Sequence, residues 1–302
     1  KYILKGGTTP IEQTVTGEAT TDNNWNYTFT NLPKYDEHGN EIIYTIEESE
    51  AKNDDLKFYN TKVNGNIITG FNIVNKFTVP NEKVNVIVEK QWTDNNNIYN
   101  RRPTSIKYIL NGGTVPIEQI VTGNATTDEN WNYTFTDLPK YDDNGNEIEY
   151  TVDEQEINQN DLKFYKKEIT GNYKNKIIIK NNFKVPEDTI NIQVTKIWDD
   201  NFNIANKRPE TIELNVKADE INQSTQTIDK VIGAEEVNQW NYTFTGLRKY
   251  DIVTGEELNY KLTEEINSEN NIFYKNKIEG DYKTGFKVTN TFEVPDEKVQ
   301  VT

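Results

Sequence analysis

The sequence predicts an all-β chain, built from tandem β-sandwich domains in an elongated array. Three observations carry this expectation. Apolar residues alternate with polar ones over short runs, as in Val84, Val86, Val88 and Trp92. Turn-forming residues separate the runs, and no segment of helical length shows a 3.6-residue period. The same stretches also return along the chain. KYILKGGTTPIEQTVTG at Lys1 comes back as KYILNGGTVPIEQIVTG at Lys107, and WNYTF occurs at Trp25, Trp131 and Trp240.

The first two repeats align without a gap, Lys1–Pro80 on Lys107–Pro186. Each repeat closes on a V-P dipeptide, Val79-Pro80, Val185-Pro186 and Val294-Pro295, followed by a short charged stretch. Proline ends a strand and stiffens a linker, so boundaries are placed just after it. The units expected are 1–80, 81–186 and 187–295, with 296–302 reading as the start of a further repeat's first strand. The second and third are complete. The first begins where the second has Lys107 and lacks an opening strand. The chain reads as a window on a longer array. An upstream V-x-K-x-W strand is expected to complete the first unit, in preference to the tail Glu297–Thr302 of a neighbouring copy.

Within a unit the opening strand is Val84 to Trp92, repeated as Ile190 to Trp198. An aromatic strand follows, with Trp25, Tyr27 and Phe29 alternating in the first unit. After a Gly39-Asn40 turn, Ile42, Tyr44, Ile46 and Glu48 alternate. Phe71, Ile73, Asn75, Phe77 and Val79 form the closing strand.

Composition narrows the function. A net charge of −16 argues against nucleic acid or an anionic membrane as partner. No stretch approaches the roughly 20 apolar residues of a membrane span. There is no cysteine, and the one histidine, His38, sits in a DEHGN turn. No cofactor or metal site is expected: Asp142-Asp143-Asn144-Gly145 lacks the ligand spacing of a calcium loop and reads as a turn.

Three polar positions break the apolar faces. Lys90 shares its face with three valines and Trp92, and Lys196 with Ile190, Ile192, Val194 and Trp198. Glu48, Glu154 and Glu264 end the strand after the Gly turn. Asn75, Asn181 and Asn290 lie between apolar residues on the closing strand. Each complete unit thus points one Lys, one Glu and one Asn inward from three strands. One reading is a buried ion pair with a hydrogen-bonded Asn, a doubtful stabiliser because desolvation offsets the Coulomb gain. The other is a reaction. A desolvated lysine is a neutral nucleophile, an Asn carboxamide an electrophile, and a glutamate kept protonated by burial a proton shuttle. The product is an amide cross-link with loss of ammonia.

These residues resemble a known family, the B-type repeats of Gram-positive collagen adhesins (Cna-B domains). The carriers are V-x-K-x-W followed by Arg102-Pro103 or Arg208-Pro209, the W-x-Y-x-F strand, L-P-K-Y-D…G-x-x-I-x-Y-T-V-x-E, and the closing Asn before an aromatic. The resemblance spans essentially the whole chain. It implies an Ig-like sandwich with a spontaneous Lys–Asn isopeptide bond assisted by a Glu. The expected sites are Lys90, Glu154 and Asn181 in one unit and Lys196, Glu264 and Asn290 in the next. The first unit keeps Glu48 and Asn75 but has no donor lysine. The function expected is an extracellular stalk or fibre segment, cell-surface or cell-wall-anchored, with further copies of the repeat as partners. It is not expected to be an enzyme beyond its own single cross-linking turnover. The alternative is an adhesin region gripping a host matrix protein, for which the distinct stretch 218–239 of the third unit is the place to look.

Overall fold

The computed structural model describes residues 1–52, 54, 56–158, 162–209, 211–218, 227–233, 238–266 and 269–300. Apart from one 3-10 turn, Glu269–Phe273, the regular structure among the described residues is strand. No helix among the described residues is long and apolar enough to cross a membrane.

The first unit contains β1 (Tyr2–Lys5), β2 (Ile11–Gln13), β3 (Thr45–Glu48), β4 (Tyr59–Asn66) and β5 (Gly70–Phe77). The second contains β6 (Lys83–Thr93), β7 (Ser105–Asn111), β8 (Ile117–Thr122), β9 (Tyr133–Pro139), β10 (Thr151–Glu156), β11 (Tyr165–Gly171) and β12 (Ile177–Phe183). The third contains β13 (Thr189–Asp199), β14 (Thr211–Ala218), β15 (Thr227–Gly233), β16 (Gln239–Arg248), β17 (Tyr260–Glu265), β18 (Tyr274–Asp281) and β19 (Gly285–Phe292).

Each complete unit packs a four-stranded sheet on a three-stranded one. In the second unit these are β11-β12-β6-β9 and β10-β7-β8, and in the third β16-β13-β19-β18 and β15-β14-β17. The alternation of the opening strand explains its placement. In β6 the residues Val86, Val88, Lys90 and Trp92 are buried while their neighbours are not, which fits a strand with one face on a core. Val86, Val88, Ile106, Tyr108, Trp131 and Ile179 are completely buried between the sheets. The opening and closing strands lie side by side and parallel, β6 on β12 and β13 on β19. All other strand pairs among the described residues are antiparallel.

The first unit departs from the expectation in two places. Its three-stranded sheet, β2-β1-β3, is present, but the other sheet contains only β4 and β5. The alternating Trp25, Tyr27 and Phe29 form no strand. In the second unit the matching segment, β9, is held by hydrogen bonds to β6, and the described residues offer the first unit no such neighbour. Alternation alone does not make a strand when the ladder has no partner. Trp25 is 42% exposed, whereas its counterpart Trp131 is fully buried. Asn75, expected to point inward, is exposed for the same reason, and Phe77 beside it is 46% exposed. The stretch 218–239 falls largely outside the described residues, as do Val301 and Thr302 of the tail.

Candidate functional site

Lys90 enters the core from the C-terminal half of β6. Its backbone N–H donates to Asn132 Oδ1 at 2.8 Å, continuing the β6–β9 ladder through a side chain where the backbone pairing ends. Its Nζ lies 4.0 Å from the centroid of the Trp92 ring and 3.2 Å from Glu154 Oε1, and both charged side chains are fully buried. The approach is close, but the angles leave Nζ and Oε1 without a well-directed hydrogen bond. The other carboxylate oxygen, Oε2, accepts from Asn181 Nδ2 at 2.8 Å. Glu154 therefore bridges the amine and the carboxamide. Asn181 Oδ1 is buried without a partner.

The strand pairings set this arrangement. In the parallel β6–β12 register Lys90 faces Ile179 and Trp92 faces Asn181, so amine and amide are two residues apart along one face of adjacent strands. Glu154 comes from β10 in the facing sheet, opposite Tyr108 of β7. Desolvation drives the Lys90 pKa down from 10.5 to about 8, against the attraction of Glu154. At pH 7 roughly a tenth of this lysine is then a neutral amine, far more than of an exposed lysine. The surroundings hold a nucleophile, an electrophilic amide and a carboxyl in contact with both.

The third unit repeats the constellation with one change. Lys196 Nζ lies 3.0 Å from Glu264 Oε1 and 4.3 Å from the Trp198 ring, and burial again pulls its pKa down to about 8. Asn290 is fully buried on β19. Here, however, Glu264 Oε2 accepts from Asn276 Nδ2 of β18 at 2.5 Å, and neither polar atom of Asn290 has a partner. Asn276 pairs directly across from Asn290. The same position holds Lys167 in the second unit, whose ammonium turns away to Asp153 and the Glu154 carbonyl. In the first unit it is Thr61, which donates to Asn75 Oδ1 at 2.6 Å and Glu48 Oε2 at 3.3 Å. Glu48 and Asn75 are thus brought together, with no lysine beside them among the described residues.

A second layer fixes the tryptophan under the lysine. Arg102 grips Asp94 with two hydrogen bonds of 2.7 and 2.6 Å, Tyr165 OH donates to Asp94 at 2.9 Å, and the Arg102 guanidinium lies 5.3 Å from the Trp92 ring. Asp200, Arg208 and Tyr274 repeat the clamp around Trp198. Such bidentate pairs add geometric definition as well as energy. The Arg-Pro dipeptide was visible in the sequence, but its aspartate and tyrosine partners were not. Asn132, which heads an N-Y-T sequon, is occupied with the Lys90 backbone. The Asp142 turn is closed internally, its carboxylate accepting from Asn144 N, Asn146 N and Asn146 Nδ2.

Comparison with known proteins identifies the family of the repeats. A family profile described as "Cna protein B-type domain" matches residues 3–76, 86–182 and 192–291. The collagen adhesin of Staphylococcus aureus is 35% identical over 261 residues, covering 84% of this chain and 19% of its own length. The chain therefore spans about a fifth of that relative. Among solved structures, two B repeat units of the collagen-binding protein of S. aureus align at 29% identity with a TM-score of 0.32, covering 97% of this chain and 69% of that one. A single B repeat unit aligns at 30% identity with a TM-score of 0.28, covering 70% and 99%. Domains of this kind are structural repeats of extracellular surface proteins rather than enzymes. The profile covers most of the chain in three consecutive copies, and the chain belongs to the Cna protein B-type domain family.

Proposed function

We propose that this chain is a load-bearing stalk segment in which each complete unit, 81–186 and 187–295, joins its opening strand to its closing strand by a Lys–Asn isopeptide bond. The observation that carries this reading is the fully buried contact chain from Lys90 through Glu154 to Asn181. The neutral Lys90 amine attacks Asn181 Cγ. Glu154 gives a proton toward the amide and takes one from the new C–N nitrogen, so the carboxamide nitrogen leaves as ammonia. The sum is one amine plus one carboxamide going to one secondary amide plus one ammonia, with the glutamate regenerated. Proximity supplies most of the acceleration, and the buried charge disappears with the product. Lys196, Glu264 and Asn290 do the same in the third unit. Closing a loop of about 100 residues is worth about 4–5 kcal/mol on the chain-entropy account.

The first unit, 1–80, carries Glu48 and Asn75 ready for a lysine delivered on a strand from outside the described residues. The collagen in the relative's name gives no ground to assign the same ligand to these repeats. The test is intact mass of the folded chain, followed by peptide mapping. The expected result is a deficit of one ammonia for each complete unit and a branched peptide joining Lys90 to Asn181. A full-mass chain with free Lys90 and Lys196 overturns the reading.

A further inference from the structure

The Lys–Asn reaction leaves one atom unserved. Attack on Asn181 Cγ drives the carbonyl electron pair onto Oδ1, and that oxygen is buried with no hydrogen-bond donor. Glu154 Oε2 is taken up by the amide nitrogen, Nδ2. Asn290 Oδ1 in the third unit is likewise buried and unpartnered. An oxyanion developing in a water-poor site needs a donor, and losing one costs about 100-fold or more in rate.

The strand register supplies a neighbour for that oxygen. Lys167 of β11 lies directly across from Asn181 of β12, so both side chains stand on the same face of the sheet. Thr61 and Asn75 hold the same positions in the first unit, and there Thr61 Oγ1 donates to Asn75 Oδ1 at 2.6 Å. A donor at this position therefore reaches the amide oxygen of the asparagine. In the third unit the position belongs to Asn276, whose Nδ2 donates to Glu264. Each of the three residues carries N–H or O–H groups. Lys167 Nζ contacts Asp153 Oδ1 and donates to the Glu154 carbonyl at 2.9 Å, which engages two of its three N–H groups. An open cavity of about 420 Å³, bordered by Glu154, Leu162, Tyr165, Lys167 and Asn181, gives this long side chain room to turn toward the amide.

We propose that Lys167 is the oxyanion donor of the second unit, its ammonium turning from Asp153 to Asn181 Oδ1 as Lys90 attacks. This rests on the Lys–Asn linkage proposed for the unit. The bond from Lys90 Nζ to Cγ forms, and the C=O π pair moves to Oδ1, where a Lys167 N–H holds it. The pair falls back as the Cγ–Nδ2 bond breaks. Glu154 carries a proton from the new nitrogen to the departing one, so ammonia leaves and Lys167 ends the step with its protons unchanged. The two lysines divide the work by environment. Lys90, fully buried, supplies the electron pair, and Lys167, 35% exposed beside Asp153, supplies the positive charge.

Full chain from a short cell-free synthesis pulse, sampled over time by peptide mass, tests this, with the third unit's own linkage as internal control. Lys167→Ala should slow Lys90–Asn181 formation about 100-fold and leave Lys196–Asn290 formation unchanged. Lys167→Thr, which installs the first unit's residue, should bring the rate back to within about tenfold of wild type, since a hydroxyl there reaches the amide oxygen. Asp153→Asn keeps the oxygen that accepts from Glu154 N but removes the ion pair, and should not slow linking. Linking at the wild-type rate in Lys167→Ala overturns the donor role, as does a Lys167→Thr or Asp153→Asn variant as slow as Lys167→Ala; in each case the linkage itself stands. A wild-type chain that never forms the Lys90–Asn181 bond overturns the linkage first, and the donor role with it.

Discussion

Burying Lys90 and Lys196 stores a pH-dependent cost that the cross-link should erase, and this can be measured. In the Asn181→Ala, Asn290→Ala double variant neither lysine has an electrophile, so both keep their amines. Each lysine titrates near 8 when folded and at 10.5 when unfolded. Between those values the unfolded chain holds a proton that the folded chain has released, so stability rises with pH through this window. Below it the cost is complete, about 3 kcal/mol for each lysine, and it fades as pH approaches the unfolded value. From about pH 8 to about pH 10 each complete unit should gain about 2 kcal/mol. Guanidinium midpoints, followed by tryptophan fluorescence, report this. With the proposed bonds formed, the wild type would have no lysine left to titrate at either site, and it serves as the reference. Buried tyrosines such as Tyr108 and Tyr165, whose pKa values burial raises, titrate alike in both proteins and cancel in the difference. A flat difference between the two proteins across this window would refute the argument that desolvated, unlinked lysines define these sites.

Glu154→Gln and Glu264→Gln should each slow bond formation in their own unit by about 100-fold or more, the usual size of a lost proton shuttle. If the glutamate were only a charge partner, removing it would leave more neutral amine, and the time course of ammonia loss by mass would not slow. Asn276→Lys, which places the second unit's residue opposite Asn290, should free Glu264 Oε2 for Asn290 and shorten cross-linking in the third unit; an unchanged rate by peptide mass would show that Asn276 does not compete. Gly123→Ala should destabilise the second unit by about 1–3 kcal/mol, because a Cβ there would stand 2.0 Å from the buried Trp131 ring. An unshifted denaturation midpoint would contradict that contact.

The site was legible in the sequence because its residues violate a simple pattern. A lysine among valines, a glutamate at the end of an apolar alternation and an asparagine before a phenylalanine stand out where the period is two. The structure brings Lys90, Glu154 and Asn181 into contact as that register requires. What escaped the reading depends on partners distant in the chain. Asn276 looks like an ordinary exposed strand residue until its pairing with Asn290 puts it in reach of Glu264. The contact between units, where Lys57 Nζ donates to Tyr141 OH and Tyr141 packs edge-on against Phe58, escaped because its residues sit in separate repeats, although the recurrence of L-K-F-Y at 56–59 and 162–165 was a signal for it. Trp25 to Phe29 failed as a strand for the opposite reason: the alternation was there and the neighbour was not.

The parallel pairing of first and last strands has a mechanical consequence. Pulled from its two ends, a unit feels tension enter β6 at Lys83 and leave β12 at Phe183, so adjacent parallel strands are loaded in shear, with every ladder bond resisting at once. With Lys90 joined to Asn181, the line of force crosses between the strands near their C-terminal ends and never enters the residues between. On the proposed linkage, the body of each complete unit would behave as an inextensible link, leaving extension to the places where units meet. On that proposal the chain would be a series of stiff links, meeting where Tyr141 packs against Phe58 and Tyr250 against Phe164.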